Sequence, residues 1–170
     1  MPNYRRALVS GGCWFFTVNL LDRKQRLLVE HIAALRAAVA ATRQDYPFTI
    51  DAFVVLPDHL HAVWTLPDGD ADFSVRWRLI KTRFVRSLPK TEPLNAVQIA
   101  RKERGIWQSR FWEHLIRDEA DYARHVELLH QPSETRTCHS RARLDPFVIS
   151  QRRAGGLVSR RLGRRCRCGR

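Results

Sequence analysis

No apolar run in this sequence approaches the roughly 20 residues that a membrane-spanning helix requires. The long one near the start, Cys13 to Leu21, is interrupted by Asn19 and stops at Asp22-Arg23-Lys24. An apolar stretch followed by a small-residue cleavage site, the mark of a secretion signal, is missing as well. These absences argue against a membrane partner and set the expectation of a cytoplasmic protein. Cysteine is scarce. Cys13, Cys138, Cys166 and Cys168 are scattered without a disulfide framework, as thiols in a reducing compartment are. Cys166 and Cys168 lack the second pair that a structural zinc site would need.

Acidic residues are also few: 17 Asp and Glu face 30 Lys and Arg, for a net charge of +13 and a pI near 10.9. Such a balance favours a polyanionic partner, and with no basic amphipathic helix in view, nucleic acid is expected ahead of a membrane surface. The charge is uneven. Residues 128–170 contain 11 arginines, no lysine and only Glu134 and Asp145, so they carry +9 and leave +4 for residues 1–127. Two compositions share a chain of 170 residues, the size of one domain with 44% hydrophobic residues to build its core.

Within residues 1–127 the periodicity changes from segment to segment. Trp14 to Leu20, aromatic and β-branched behind Gly11-Gly12, reads as a buried strand. Leu28, Ile32, Leu35 and Val39 recur at helical spacing among alanines. Phe48 to Leu56 and His59 to Leu66 flank Pro57-Asp58 as two strands of a hairpin. Phe73, Trp77, Ile80 and Phe84 form the stripe of a second helix, with Ser74 as its expected N-cap and Arg76, Arg78, Lys81 and Arg83 beside the stripe. Those basic residues are either a solvated rim on a core helix or a phosphate-binding row. Ile106 to His114 suits a short strand or hairpin, and Asp118 can cap a third helix bearing Tyr122, Val126 and Leu129. Strand, helix, strand, strand, helix, strand, helix is an α/β pattern.

The residues with the clearest chemistry are His59 and His61. On a strand, alternate residues share a face, so the two imidazoles point one way while Leu60, Ala62 and Trp64 point to the other. Beside Asp58 they form a bidentate start for a divalent cation able to polarise a phosphate oxygen. The competing reading is two surface histidines on a half-exposed strand. Val63 occupies the place of a third alternating histidine, and there is no His-Glu-x-x-His, no glycine-rich phosphate loop and no nucleophile elbow. Nucleic-acid chemistry is the remaining use of the pair.

Longer motifs carry a resemblance. Tyr4-Arg5-Arg6, Gly11-Gly12 with Trp14-Phe15-Phe16-Thr17-Val18-Asn19-Leu20, and Val54-Val55-Leu56-Pro57-Asp58-His59-Leu60-His61 resemble the REP-associated tyrosine transposases. So do Trp64-Thr65-Leu66-Pro67, Arg76-Trp77, Ile80-Lys81, Trp107-Gln108, Arg110-Phe111-Trp112-Glu113-His114 and Ile116-Arg117-Asp118. The resemblance covers nearly all of residues 3–127. It implies a ferredoxin-like α/β domain of the HUH kind, with a central, mainly antiparallel sheet and helices packed on it. It further implies that His59 and His61 hold magnesium or manganese, and that a tyrosine attacks a phosphodiester of single-stranded or hairpin DNA to form a 5′-phosphotyrosine. Arg76, Lys81, Arg83 and Arg110 would then contact phosphates, while Trp107 or Trp112 would either stack on unpaired bases or belong to the core. The protein would act as a monomer or a homodimer.

The pattern breaks at position 128. The family follows its His-Val-Asp/Glu step with a tyrosine-containing run ending in Asn-Pro-Val-Lys-His-Gly, whereas here His125-Val126-Glu127 is followed by Leu128-Leu129-His130-Gln131-Pro132. Leu128 stands where the nucleophile is expected and has no oxygen to attack with, and the asparagine that would add a metal ligand is missing. Tyr122 is a poor substitute, because six residues at about 100° each place it roughly 240° around the helix and about 9 Å along it. Residues 128–136 can be written in codons as CTA CTA CAT CAA CCC AGT GAA ACA CGG. Without the first base these read Tyr-Tyr-Ile-Asn-Pro-Val-Lys-His-Gly, the missing motif. Continued through residues 143–152, with its first codon beginning in Ala142, the shifted frame similarly allows Arg-Asp-Trp-Thr-His-Ser-Ser-Phe-His-Arg. The expectation is therefore a transposase-like domain over 1–127, incomplete at its C-terminal end, and an out-of-frame, disordered tail over 128–170, with a genuine arginine-rich DNA-binding arm as the rival. Impaired metal-dependent transesterification follows. The alternatives are a non-catalytic DNA-binding remnant and a metal-dependent nuclease that uses water.

Overall fold

The computed structural model describes residues 9–89, 104–130 and 147–148. The chain begins with strand β1 (Cys13–Asn19), a single turn α1 (Leu27–Glu30) and helix α2 (Ile32–Asp45). It continues through β2 (Thr49–Val55), β3 (His59–Thr65), α3 (Phe73–Ser87), β4 (Trp112–Leu115), α4 (Glu119–His130) and β5 (Phe147–Val148). The helix expected from Leu28 onward is broken at His31, whose φ of −113° and ψ of 36° lie outside helical values and separate α1 from α2.

The sheet order is β4-β1-β3-β2-β5, with every neighbouring pair antiparallel. The crossover through α1 and α2 leaves a gap between β1 and β2, and β3 fills it, returning by the Pro57-Asp58 turn. After α3 the chain comes back to the free edge of β1 as β4. The order β4-β1-β3-β2 is the ferredoxin-like α/β arrangement. Asp51 marks a bulge in β2, where the pairing register with β3 shifts between Ile50 and Ala52.

Alternation along the strands divides the apolar residues between two layers. Trp14, Phe16 and Val18 of β1 and Leu60, Ala62 and Trp64 of β3 face α2 and α3 and form the main core. Trp64 is its centre, with ring centroids 4.2 Å from Phe48, 4.5 Å from Trp77 and 4.8 Å from Phe16. The opposite sheet face carries a smaller apolar group, including Phe15, Val54, Val63 and Ile116, on which Tyr122, Val126 and Leu129 of α4 rest.

Capping differs at one helix. Asp72, not Ser74, begins α3: its Oδ1 accepts from the Val75 N–H at 3.0 Å, so the helix starts at Phe73. A carboxylate three residues ahead of an orphan N–H reaches it more readily than Ser74, which already lies in the first turn. At α4, Asp118 Oδ1 accepts from Asp121 N at 2.8 Å, as an N-cap does. This helix continues through His130, past the boundary at 127 drawn from sequence.

Phe147 and Val148 pair with Val55 and Val54, placing two residues of the segment expected to lack structure on the edge of β2. A free strand edge offers unpaired N–H and C=O groups to any extended segment that reaches it. The rest of the arginine-rich tail, with Cys138, Cys166 and Cys168, lies outside the described residues, as does Tyr4-Arg5-Arg6. Among the described residues no helix is long and apolar enough to cross a membrane. The fully buried Trp64 sets a first prediction: Trp64→Ala should lower unfolding free energy by about 3–5 kcal/mol. Urea unfolding followed by tryptophan fluorescence checks it, and a loss below about 1 kcal/mol would contradict the position given to this ring.

Candidate functional site

The two histidines lie at the start of β3, in the middle of the sheet. His61 pairs with Thr17 on β1 and Val54 on β2, while His59 pairs with Asn19 on β1. Leu60 and Ala62 are fully buried in the main core, so both imidazoles are left on the other face. Their ring centroids are 5.0 Å apart and their planes nearly perpendicular, at 86°.

Each ring is oriented by a polar neighbour. Asp58 Oδ1 lies 2.7 Å from His59 Nδ1, which directs the Nε2 lone pair away from the turn. Arg23 Nε donates to the other carboxylate oxygen, Oδ2. Burial alone would raise the Asp58 pKa, but hydrogen bonds from His59 and Arg23 and their positive charges hold it below the ordinary carboxylate value. Thr17 Oγ1 is 2.9 Å from His61 Nδ1. His61 is pushed down to about 4, first by burial and then by the nearby charge of His59, so at neutral pH it is an uncharged imidazole. A neutral imidazole is the form that binds a metal. Two oriented nitrogen donors on one sheet face thus fit a divalent cation that completes its shell with water or phosphate oxygen.

Helix α4 lies on the same face. His125 packs on Phe15 at a centroid distance of 4.8 Å, and Phe15 in turn is 5.6 Å from His61. Position 128 follows His125 by one helical turn, within α4. Tyr122 sits in the apolar group beneath α4 with Val126, in keeping with a packing role. Trp112 stands opposite Thr17 on the edge strand β4 and is 53% exposed. Its ring stacks on His114 at 5.8 Å and 5° and meets Phe15 edge-on at 5.7 Å. Arg110 is exposed just ahead of β4.

The other residues expected to contact DNA belong to the far side of the sheet. Arg76 is 1% exposed and donates to Asp72 O at 2.8 Å, Pro47 O at 2.8 Å and Asp70 Oδ2 at 2.6 Å. Its placement corrects the expectation of a phosphate contact, because the guanidinium is buried and bonded while it ties α3 to the chain between α2 and β2. Arg83 bonds Thr42 Oγ1 at 2.7 Å and pairs with Asp45, linking α3 to α2. Lys81 donates to Gln108 O at 2.9 Å and lies 5.3 Å from the Phe111 ring centroid. Trp107 packs against Phe84 at 5.5 Å with its Nε1 buried, so this tryptophan is core and Trp112 is the exposed one. Arg76, Lys81 and Arg83 all project from α3, which covers the sheet face opposite His59 and His61.

A group not singled out from sequence gathers where β4 meets α4. His114 Nε2 lies 2.9 Å from Asp121 Oδ2, and His125 Nδ1 lies 3.2 Å from Asp121 Oδ1 and 2.8 Å from the Asp121 carbonyl. The Asp121-x-x-x-His125 spacing, which puts both side chains on one helix face, was the available sequence signal. Burial by itself raises the Asp121 pKa, yet the hydrogen bonds from His114 and the Arg117 N–H keep it below the ordinary value.

The described residues thus form a ferredoxin-like sheet with a His-x-His pair on one face, under a separate helix. No family model matches the chain. It is 45% identical over 130 residues to the REP-associated tyrosine transposase of Escherichia coli strain K12, spanning 76% of this chain and 71% of that protein. Identity is 43% over 131 residues to the Haemophilus influenzae protein given the same family name, spanning 76% of this chain and 74% of that one. A solved REP-associated tyrosine transposase bound to a REP hairpin is similar with a TM-score of 0.64 at 46% identity, over 76% of this chain and 71% of that one. The chain belongs to the REP-associated tyrosine transposase family.

His61 generates a prediction of its own. In metal-free protein its imidazole should titrate near pH 4, against about 6.5 for a solvated histidine. Because the folded-state pKa is depressed, the unfolded chain takes up this proton first. The contribution to stability is therefore fully present above about pH 6.5 and is lost as pH falls toward 4. Histidine-resolved NMR titration checks the midpoint, and a value near 6.5 would contradict the buried placement.

Proposed function

We propose that this protein binds single-stranded, hairpin-forming DNA of the REP type on the sheet face bearing His59 and His61. It uses magnesium or manganese there, and its ability to cut is impaired. The observation that carries the reading is the convergence of the histidine pair, the exposed Trp112 and helix α4 on one face, with the turn after His125 occupied by Leu128. The related transposase solved with a REP hairpin supports the choice of ligand.

In this reading His59 and His61 would hold the cation, which when bound would supply charge neutralisation at a DNA phosphate. Asp58 and Thr17 keep the two rings in position, and the low proton affinity of His61 keeps it uncharged at neutral pH. Trp112 offers a flat apolar surface to an unpaired base, and Arg110 beside it offers a cation to the backbone. Tyrosine attack would require an oxygen that Leu128 lacks. A shifted frame after about codon 127, which turns residues 128–136 into Tyr-Tyr-Ile-Asn-Pro-Val-Lys-His-Gly, would account for its loss.

Incubation with a labelled single-stranded REP hairpin and Mn²⁺ tests the proposal. The expected result is a retarded complex with no covalent product on a denaturing gel. A gene whose frame is restored by removing one base near codon 128 should yield the adduct. An adduct on the 170-residue chain would overturn the loss of cleavage by tyrosine, and metal-dependent nicking without adduct, abolished in His61→Ala, would favour water as nucleophile. Trp112→Ala should weaken hairpin binding by about 5- to 150-fold, the range of one base stacking on an aromatic ring. Unchanged affinity, measured by fluorescence anisotropy, would remove Trp112 from the interface.

A further inference from the structure

The group at the junction of β4 and α4 has the composition of a metal site separate from the histidine pair. One ligand atom each from His114, Asp121 and His125 can be chosen so that all three lie within 4.8 Å of one another. Around an ion with bond lengths of about 2.0–2.1 Å, tetrahedral ligand atoms are roughly 3.3 Å apart. Two contacts are already near that length, one to each carboxylate oxygen: 2.9 Å from His114 Nε2 to Asp121 Oδ2 and 3.2 Å from His125 Nδ1 to Asp121 Oδ1. Closing the third edge requires His125 to turn its Nδ1 from the Asp121 carbonyl toward the carboxylate, against its stacking on His114.

The surroundings hold the ligands rather than merely collecting them. Asp121 is 5% exposed and is fixed by the Arg117 N–H on Oδ2 at 3.2 Å. His114 is stacked between Trp112 at 5.8 Å and His125 at 4.6 Å, which limits the swing of both rings. Arg124 approaches Asp121 Oδ1 at 3.3 Å, but its side chain is 73% exposed and can leave for solvent when a cation arrives. Two imidazoles with one carboxylate and a place left open form the donor set of a four-coordinate zinc site.

We propose that His114, Asp121 and His125 bind one zinc-class ion that staples α4 to β4. Such a staple would fix the helix covering the His59 and His61 face, joining an edge strand to an element that otherwise rests on a small apolar group. Its position makes it a structural ion with a fourth place open to water.

Isothermal titration of zinc into the chelator-treated, full-length chain tests this, with cobalt as a spectroscopic substitute. The expected result is one saturable zinc site, an intense visible cobalt spectrum of the four-coordinate type, and a melting temperature that rises with zinc concentration. His59→Ala/His61→Ala should keep all three signals. His114→Gln, at a partly exposed position, and Asp121→Asn should each weaken zinc binding at least tenfold and abolish the melting shift, with circular dichroism confirming that each variant is folded. Absence of saturable zinc binding in the parent chain overturns the proposal and leaves the group as a hydrogen-bonded latch. Loss of the site in His59→Ala/His61→Ala with retention in His114→Gln also overturns it, assigning the ion to the other histidines.

Discussion

The burial of alternate residues of β3 is the constraint from which the rest of this structure follows. Leu60, Ala62 and Trp64 enter a core with no accessible surface at these positions. A strand side chain cannot change faces without shifting register by one residue, and that shift would drive His59 and His61 into the core and Trp64 onto the opposite face. The hydrophobic effect on one side of the sheet thus fixes polar chemistry on the other. Pairing with Thr17 and Asn19 then supplies His61 with its hydrogen-bonding partner, so the same register that closes the core also orients a ligand.

The sheet separates two uses of positive charge. On the helical side, arginine and lysine are structural: Arg76 joins α3 to three acceptors, and Arg83 and Lys81 tie it to α2 and to the segment before β4. A buried guanidinium bonded in this way is costly to leave unpaired, which anchors α3 but removes its charge from DNA. On the histidine side Arg23 is paired to Asp58, and Arg124 approaches Asp121. Net charge is thus a statement about long-range attraction, while contact is decided by which face a residue occupies.

Helix α4 links the two clusters of imidazoles. Phe15 lies between them, touching His61 on one side and His125 on the other, and Trp112 closes the row beside His114. Three residues on α4 and β4 therefore determine how the helix lies over the histidine pair. The helix that carries Leu128 is docked by residues on both sides of that position, Tyr122 and Val126 before it and Leu129 after it.

Much of this was legible in the chain itself. Alternation placed His59 and His61 together and Leu60 and Trp64 apart, the Phe73-Trp77-Ile80-Phe84 stripe set α3, and Asp118 marked the start of α4. These features are local, and local periodicity reports directly on backbone geometry. Other features depend on where distant segments meet. Nothing near Arg76 in sequence says that Pro47 will accept from it. The grouping of His114 with Asp121 and His125 needs β4 and α4 side by side, and the difference between Trp107 and Trp112 needs the packing of Phe84 on the first. Sequence alone determined most of the elements and the histidine pair, because periodicity and residue identity are properties of the chain. Only the tertiary structure decided which charges are buried and which aromatic ring is free, because burial is a property of contacts between segments far apart in sequence.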